Sequence, residues 1–363
     1  MYPKDDSLYR NAFIHRRVVE YHKNGLDVEV YVLNEELDKP QEYLFEGVKV
    51  IEGDKNHFIE YISNEKPVKI LIHFINRHMI NAINSIHEKI GIIVWIHLME
   101  SIGWYRRLFN YKDGEFSRYI LQNTRQMLNL RKFIKKSNKK DVEFIFVSNW
   151  IKNITQKDTL TKIDNFKIIH NVVDVNLFKY EEKNSELRKK ILLIRPFESR
   201  KYANDIAIEA ILKLKKKPYF SQLEFNIFGS GKLFEETVSP IRGLCNVKIN
   251  ETYLKHDEIK NQHKEHGIFL CPTRQDSQGV SMCEAMSSGL VPITSNNSAI
   301  PEFVEHNETG LITNSADDIA KAIDYLYNNP LDFNRISRHA SNSIFEKCRP
   351  DKVIKEEMEV ILK

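Results

Sequence analysis

Short apolar runs rich in Val, Ile, Leu and Phe recur along this chain, with helical stretches between most of them, and no feature constrains the fold more. VEVYVL from Val28, VKILIHFI from Val68, IGIIVWIHLM from Ile90, VEFIFVS from Val142 and FKIIHNVVD from Phe166 form a first series. KKILLIRPF from Lys189, LEFNIFGSG, CNVKIN, GIFLCPT and LVPITSN form a second. Near-continuous apolar strands alternating with helices belong in parallel sheets covered on both faces. Two series without a long linker predict two α/β domains facing across a cleft, and 363 residues suit two domains better than one core. The expected boundaries are 1–175, 176–332 and a closing helical segment over 333–363, with the hinge in the charged, glycine-free stretch around 176–188.

The beginning of the chain is unusual. Residues 8–24 read as a helix that Gly25 closes, and VEVYVL follows as a buried strand. A doubly wound domain starts with a strand in the middle of its sheet. MYPKDDS, with one proline, three charges and no apolar run, does not supply it. Either the natural start lies upstream of Met1 or the domain has lost its central strand. The first is preferred, because two neighbouring strands left unpaired in a core would strand backbone groups.

Hydrophobic residues at 42% and charged residues at 29% describe an ordinary globular protein. Cys245, Cys271, Cys283 and Cys348 show no C-x-x-C spacing, which predicts reduced, buried thiols and a cytoplasmic setting. No apolar run reaches the ~20 residues of a membrane span, and no signal peptide is visible. The net charge of +4 is unevenly placed: residues 118–140 carry Arg118, Arg125, Arg131, Lys132, Lys135, Lys136, Lys139 and Lys140 without an acid. Apolar residues interleave at helical spacing. This segment is either a surface helix with a solvated cationic face or an attachment to anionic lipid. Nucleic acid is disfavoured, because no nucleic-acid motif accompanies the charge.

The candidate site centres on LCPTRQDSQGVSMCEAMSSGLVPITSNNSAIPE, from Leu270 to Glu302. A strand ends at Pro272, a polar loop follows, and a helix opens near Gly279. Asp276 therefore lies in the loop and Glu284 after the first helical turn. The amides of Val280, Ser281 and Met282 point out of the helix start and suit an anion such as a diphosphate. IRPFESRKYANDIAIEAI places Arg195, Arg200 and Lys201 between a strand and a helix. Cations gathered there are costly without an anion, so they read as a phosphate site in which Arg200 and Lys201 compete for one role. Gly229 and Gly231 in FGSGK form a turn that lets backbone pass close to a ligand. His97 ends the strand IGIIVWI, and Glu100 and GWYRRLFNY follow it. There Trp104 suits stacking on a sugar ring, and Arg106 and Arg107 suit a phosphate; packing of the aromatic residues within the fold is the plainer account. No metal-ligand cluster is visible.

D-SQGVSMC-E-AMSSG, with Gly279, Gly289, Pro292 and the IPE of Ile300 to Glu302, resembles the signature of the family-4 retaining glycosyltransferases. Asp276 stands where that family has its first Glu. Arg195 and Lys201 fit the register of the family's Arg and Lys on the donor diphosphate, and Ile194 and Tyr202 stand where it usually has glycine. The resemblance implies a GT-B fold, with Glu284 on the ribose hydroxyls of a nucleotide sugar and Asp276 and His97 positioning the sugar. It further implies Tyr253 and Leu254 near the base, retention at the anomeric carbon, and no cofactor or metal. A UDP-sugar is favoured over a GDP-sugar as donor. The expected acceptor is a glycan or a lipid-diphosphate-linked chain, held by Glu100, Trp104, Arg106 and Arg107. The setting is bacterial surface-polysaccharide or glycoconjugate synthesis at the inner face of the membrane. HNVVD, from His170 to Asp174, resembles a marker of the end of the first domain. A catalytically weak nucleotide-sugar-binding subunit and another GT-B enzyme, an epimerase or a phosphorylase, are the alternatives.

Overall fold

The computed structural model of the protein describes residues 2–3, 12–111, 114–137 and 142–363. In the first domain α1 (Ala12–Lys23) leads into β1 (Val30–Leu33), and β2 (Gln41–Phe45) and β3 (Val48–Gly53) form a hairpin. Then come α2 (Lys55–Glu65), β4 (Lys69–His73), α3 (Arg77–Asn84), β5 (Gly91–Ile96), α4 (Phe116–Ser137), β6 (Val142–Phe146), α5 (Asn149–Thr159) and β7 (Phe166–Ile168). Residues 8–11 of the expected first helix lie outside the described residues, and Gly25 closes that helix at φ 83°. The hairpin of β2 and β3 is not among the expected strands. Its signal is Glu46-Gly47, a two-residue turn with both φ values positive, at 45° and 81°.

The first domain holds two sheets. One has the order β1-β3-β2, with β1 parallel and β2 antiparallel to β3; the other is parallel throughout, in the order β4-β5-β6-β7. Among the described residues no strand joins β1 to β4.

The second domain runs β8 (Lys190–Ile194), α6 (Asn204–Leu214), β9 (Glu224–Gly229), α7 (Phe234–Val238), β10 (Val247–Glu251), α8 (His256–Glu265) and β11 (Ile268–Cys271). It continues with α9 (Val280–Ser287), β12 (Val291–Ser295), α10 (Ile300–Phe303), β13 (Leu311–Thr313) and α11 (Ala316–Asn328). Its one sheet has the order β10-β9-β8-β11-β12-β13, parallel throughout. Alternate residues of each strand face opposite layers. Ile191, Leu193, Ile268 and Leu270 meet α6 and α11 on one side, and Leu192, Phe269 and Cys271 meet α9 on the other. Each fully buried Leu, Ile or Phe contributes about 1.5–3 kcal/mol, so this two-faced burial is why the strands read as unbroken apolar runs.

The closing segment divides at Pro350. α12 (Pro330–Cys348) packs Phe333, Ile336, Ala340 and Ile344 into the second domain. α13 (Pro350–Ile361) lays Val353, Ile354, Val360 and Ile361 against Tyr21 and Trp95 of the first. Arg349, extended at φ −61° and ψ 144°, makes the break, as a residue ahead of proline favours. The two chain crossings touch, for the Val173 amide donates to the Cys348 carbonyl at 2.9 Å.

Candidate functional site

The site is built at the carboxyl ends of β8 and β11. Arg195 leaves β8 with its backbone amide bonded to the Phe228 carbonyl at 3.1 Å. Its side chain is 4% exposed and donates to Ser281 Oγ at 3.3 Å and to the Pro272 carbonyl at 3.2 Å. Its Nε has no hydrogen-bond partner, and no carboxylate pairs with it among the described residues. Lys201, on a turn capped by Ser199, lies with Nζ 4.7 Å from the Tyr202 ring centre; Arg195 lies 5.3 Å from the same ring. Tyr202, the residue in place of the family's glycine, thus brings both cations together through their attraction to its π-face. Arg200 turns elsewhere, to Glu236 at 3.2 Å, so of the two it is Lys201 that lies against the same ring as Arg195.

α9 supplies the other wall. Gly279 opens it at φ 77°, in the left-handed region that glycine adopts without strain. Asp276 Oδ1 accepts from the amides of Gly279 at 2.8 Å and Gln278 at 3.3 Å, so its side chain holds the loop that starts the helix. Ser281, bonded to Arg195, and Glu284 are three residues apart and share a helix face. Val280, Ser281 and Glu284 keep partial exposure while Met282, Cys283, Ala285 and Met286 are buried. Burial pushes the Glu284 carboxyl up to about 7; Arg16 of α1 pulls it down and Asp174 adds to the rise. Glu284 therefore lies within electrostatic reach of Arg16 in the first domain. Arg16 was absent from the expectations, and in the sequence it is one arginine of a helix with no local motif.

The G-x-G turn serves the same loop. A Cβ on Gly229 would meet the Arg195 carbonyl at 2.0 Å, and one on Gly231 would meet the Glu198 amide nitrogen at 2.6 Å. What passes close to these glycines is the Arg195 loop, and the Phe197 amide bonds the Ser230 carbonyl at 2.9 Å. Tyr253 donates to that same carbonyl at 2.7 Å and stays half-exposed, with Leu254 beside it.

Most charged groups in the corresponding loop of the first domain find partners inside the protein; the exception is Arg107, whose buried Nε has no hydrogen-bond partner among the described residues. His97 follows β5, is buried, and bonds His73 through Nε2 at 3.0 Å; Phe13 and Phe74 pack on its ring. Burial holds both histidines well below the usual imidazole range, with His97 and then Arg17 adding to the lowering at His73 and Arg17 to that at His97, so the pair is neutral. Glu100 is buried and accepts from the amides of His97 at 2.5 Å and Leu98 at 3.0 Å, shaping its own turn. Arg106 makes a bidentate pair with Asp158, both bonds at 2.7 Å. Arg107 lies over Tyr119 at 4.9 Å, and Trp104 meets Tyr105 edge-on. The segment does reach the second domain, because Asn110 Nδ2 donates to Ser199 Oγ at 3.1 Å beside the Lys201 turn.

Three further contacts join the domains. Glu302 accepts from the amides of Asn149 at 2.9 Å and Trp150 at 2.6 Å and so caps α5, a role for the IPE glutamate with no trace in local spacing. Gln278, 1% exposed, pairs with the Asn171 backbone, accepting from its amide at 2.6 Å and donating to its carbonyl at 3.0 Å. Asn171 Oδ1 in turn accepts from Arg17, which is bonded to the buried Glu357 of α13 at 2.9 Å. The loop that opens α9 is thereby tied to both interdomain crossings.

Outside the cleft, α4 buries Met127, Leu130, Phe133 and Ile134 and turns Arg118, Arg125, Lys132, Lys135 and Lys136 outward. Leu121 and Leu128 are exposed on it; Lys139 and Lys140 lie outside the described residues. Among the described residues no helix is long and apolar enough to cross a membrane.

Residues 188–329 match the family model described as Glycosyl transferases group 1. The amylovoran biosynthesis glycosyltransferase AmsK of Erwinia amylovora is 32% identical over 32% of this chain, and the match spans 30% of that protein's length. Among solved structures, a sucrose-phosphate synthase from Thermosynechococcus elongatus superposes with a TM-score of 0.74 at 12% identity, covering 97% of this chain and 92% of its own. The Anabaena protein HepE, in complex with UDP, superposes at 0.65 and 14% identity, covering 86% and 85%. These likenesses show the fold, two Rossmann-like domains in the GT-B arrangement.

Proposed function

We propose that this chain is a retaining glycosyltransferase that moves a sugar from a nucleoside-diphosphate sugar, UDP-linked in preference to GDP-linked, to a glycan or lipid-linked acceptor. One observation carries the reading. A buried arginine with an unmet donor is bonded to the first turn of a helix whose next turn carries Glu284, and Lys201 lies against the same Tyr202 ring as that arginine. A buried cation without a counterion is costly, and a pyrophosphate is the anion that two cations and a helix start are shaped to hold.

In this mechanism Arg195, Lys201 and the amides of Val280 and Ser281 bind the diphosphate. They stabilise the negative charge that grows on it as the glycosidic bond breaks. Only interactions that strengthen as that charge develops raise the rate. Ionised Glu284 accepts from ribose hydroxyls, an interaction worth about 1.5–3 kcal/mol. Asp276 holds the loop that opens α9, and neutral His97, braced by His73, borders the sugar position. The acceptor attacks from the leaving group's own face. The name of AmsK and the UDP held by HepE agree with this class of donor and product. The outward face of α4 suits an anionic lipid surface, at ~1 kcal/mol per nearby Lys or Arg, which would bring a lipid-linked acceptor to the cleft.

Thermal-shift titration against UDP-, GDP- and other nucleotide-linked sugars tests it. A donor raises the melting temperature by mass action, and Lys201→Ala removes the shift. If no nucleotide stabilises the unmodified protein, the reading fails.

A further inference from the structure

The turn that carries Lys201 is not one its own residues favour. Ala203 ends it at φ 51°, in the left-handed region, without the freedom of a glycine. A non-glycine residue persists there only where its surroundings hold it. The hold comes from the loop between β11 and α9. The Arg274 amide donates to the Lys201 carbonyl at 2.8 Å, and Thr273 Oγ1 lies 3.2 Å from the same oxygen. The Arg274 side chain reaches one residue further back, where Nη1 donates to the Arg200 carbonyl at 2.6 Å. That carbonyl also accepts from the Ala203 amide, at 3.1 Å.

The guanidinium is itself fixed from a third side. Nη1 donates to Asp205 Oδ1 at 2.8 Å and Nη2 to Oδ2 at 2.7 Å, in the first turn of α6. Burial raises the Asp205 carboxyl, but the bonds from Arg274 outweigh it and hold it below its ordinary range, so the pair stays ionised at neutral pH. One planar group thus ties the start of α6 and the Arg200–Lys201 turn to the loop that carries Asp276 and opens α9. A fork that donates in two directions from one plane is what arginine supplies and lysine, a point donor, does not.

We propose that Arg274, anchored by Asp205, is a positioning residue that sets the separation between Lys201 and the amides opening α9, so that both meet one diphosphate. It acts through Lys201 and touches no substrate itself. The role rests on the donor site proposed above, since a separation matched to one anion matters only where that anion binds. A misplacement of about 1 Å is enough to cost about 100-fold in rate, so a clamp outside the site can govern turnover without contributing to binding.

A double-mutant cycle tests it, on the unmodified chain, Arg274→Ala, Lys201→Ala and the double variant, with released nucleoside diphosphate as the readout. Arg274→Ala should lower kcat about tenfold at unchanged folded fraction, and Arg274→Lys should not restore it. In the Lys201→Ala background the same change should cost less than about twofold, because residues acting as one unit are not additive. Additive losses, or recovery by lysine, overturn the proposal. A second readout uses no substrate. Reductive methylation with carbon-13 formaldehyde labels Lys201 Nζ, which lies 4.7 Å from the Tyr202 ring centre. Its methyl signal, identified by its loss in Lys201→Arg, should be displaced by the ring in the unmodified chain and return toward the exposed lysines in Arg274→Ala. A signal that stays in place overturns the clamp, as does one undisplaced in the unmodified chain. If Arg274→Ala does not fold, Asp205→Asn, which weakens the anchor alone, carries the cycle and the methyl measurement under the same criteria. A chain that binds no nucleotide fails the donor reading, and the methyl signal alone then decides whether Arg274 holds Lys201.

Discussion

Two arginines, each in the loop after a parallel strand, have opposite fates. Arg106, after β5, is locked into a bidentate pair with Asp158, whose side chain is fully buried. Burial alone would raise the Asp158 pKa, but the bonds from Arg106, the Gly103 amide and Tyr105 outweigh it and hold the carboxyl below its usual range. Arg195, after β8, has no such partner and keeps a buried Nε unmet. A satisfied buried ion pair is structure, whereas an unsatisfied buried cation is held ready for something that arrives. By this measure the Arg195 loop is ligand-facing, although the first-domain loop keeps one such group of its own, the buried Arg107 Nε, which is likewise without a hydrogen-bond partner among the described residues. The first-domain loop has already used most of its charges on its own folding.

The contrast is broken most directly by removing each guanidinium. Arg195→Ala should lower turnover on a nucleotide-sugar donor by about 100-fold with little change in melting temperature, measured by released nucleoside diphosphate. Arg106→Ala should do the reverse: a loss of about 2–3 kcal/mol in denaturant unfolding, because Asp158 is left buried and unpaired, with turnover per folded molecule within a few-fold of the parent. If both variants lose activity at unchanged stability, the loops are not distinguished and the acceptor role of Arg106 returns.

Glu284 sharpens the comparison through pH. Its folded pKa of about 7 lies above the ordinary 4.5. Between those values the folded state holds the extra proton, so this group's contribution to stability declines as pH rises from about 4.5 to 7. Donor binding runs the other way, because ribose hydroxyls donate to the ionised form. Affinity should therefore rise several-fold from pH 6 to pH 8, and Glu284→Gln should flatten that slope while lowering turnover about tenfold. A slope that survives in the Gln variant belongs to another group.

Gln278→Leu tests whether the ligand-facing loop depends on its tie to the first domain. It removes both bonds to Asn171, and kcat should drop a few-fold with donor affinity nearly unchanged; an equal fall in affinity would place Gln278 in donor binding. The smallest effect is expected at α4, where Arg125→Glu with Lys132→Glu should weaken binding to vesicles rich in anionic lipid while leaving turnover on a soluble acceptor intact.

Much of this was legible before folding. The apolar runs become the strands they predict, because a strand buried on both faces needs no partner information to be recognised. β2 escaped because it is five residues long and mostly exposed, and β13 because three residues carry too little pattern; β3, six residues and nearly all buried, was legible in the run VKVI. Arg195, Lys201 and Glu284 were identifiable by their place after a strand or in the first turns of a helix; the fold puts Arg195 and Lys201 against one ring and bonds Arg195 to Ser281, three residues ahead of Glu284. Arg16, Gln278, Asn171 and Glu302 were not, because each acts on a residue distant in sequence. Glycines are instructive in the same way: Gly229 and Gly231 were visible as a turn, but that the Arg195 loop is what crowds them is a fact of packing.

Local chemistry, then, determined from sequence alone that the chain forms two parallel α/β layers and that cations, a helix start and a carboxylate sit at strand ends. Periodicity and spacing record those properties directly. Which charges remain unsatisfied was decided only in three dimensions, where Asp158 reaches Arg106 and, among the described residues, no carboxylate reaches Arg195. Pairing over such separations is set by how the layers pack, and packing leaves no mark on neighbouring residues.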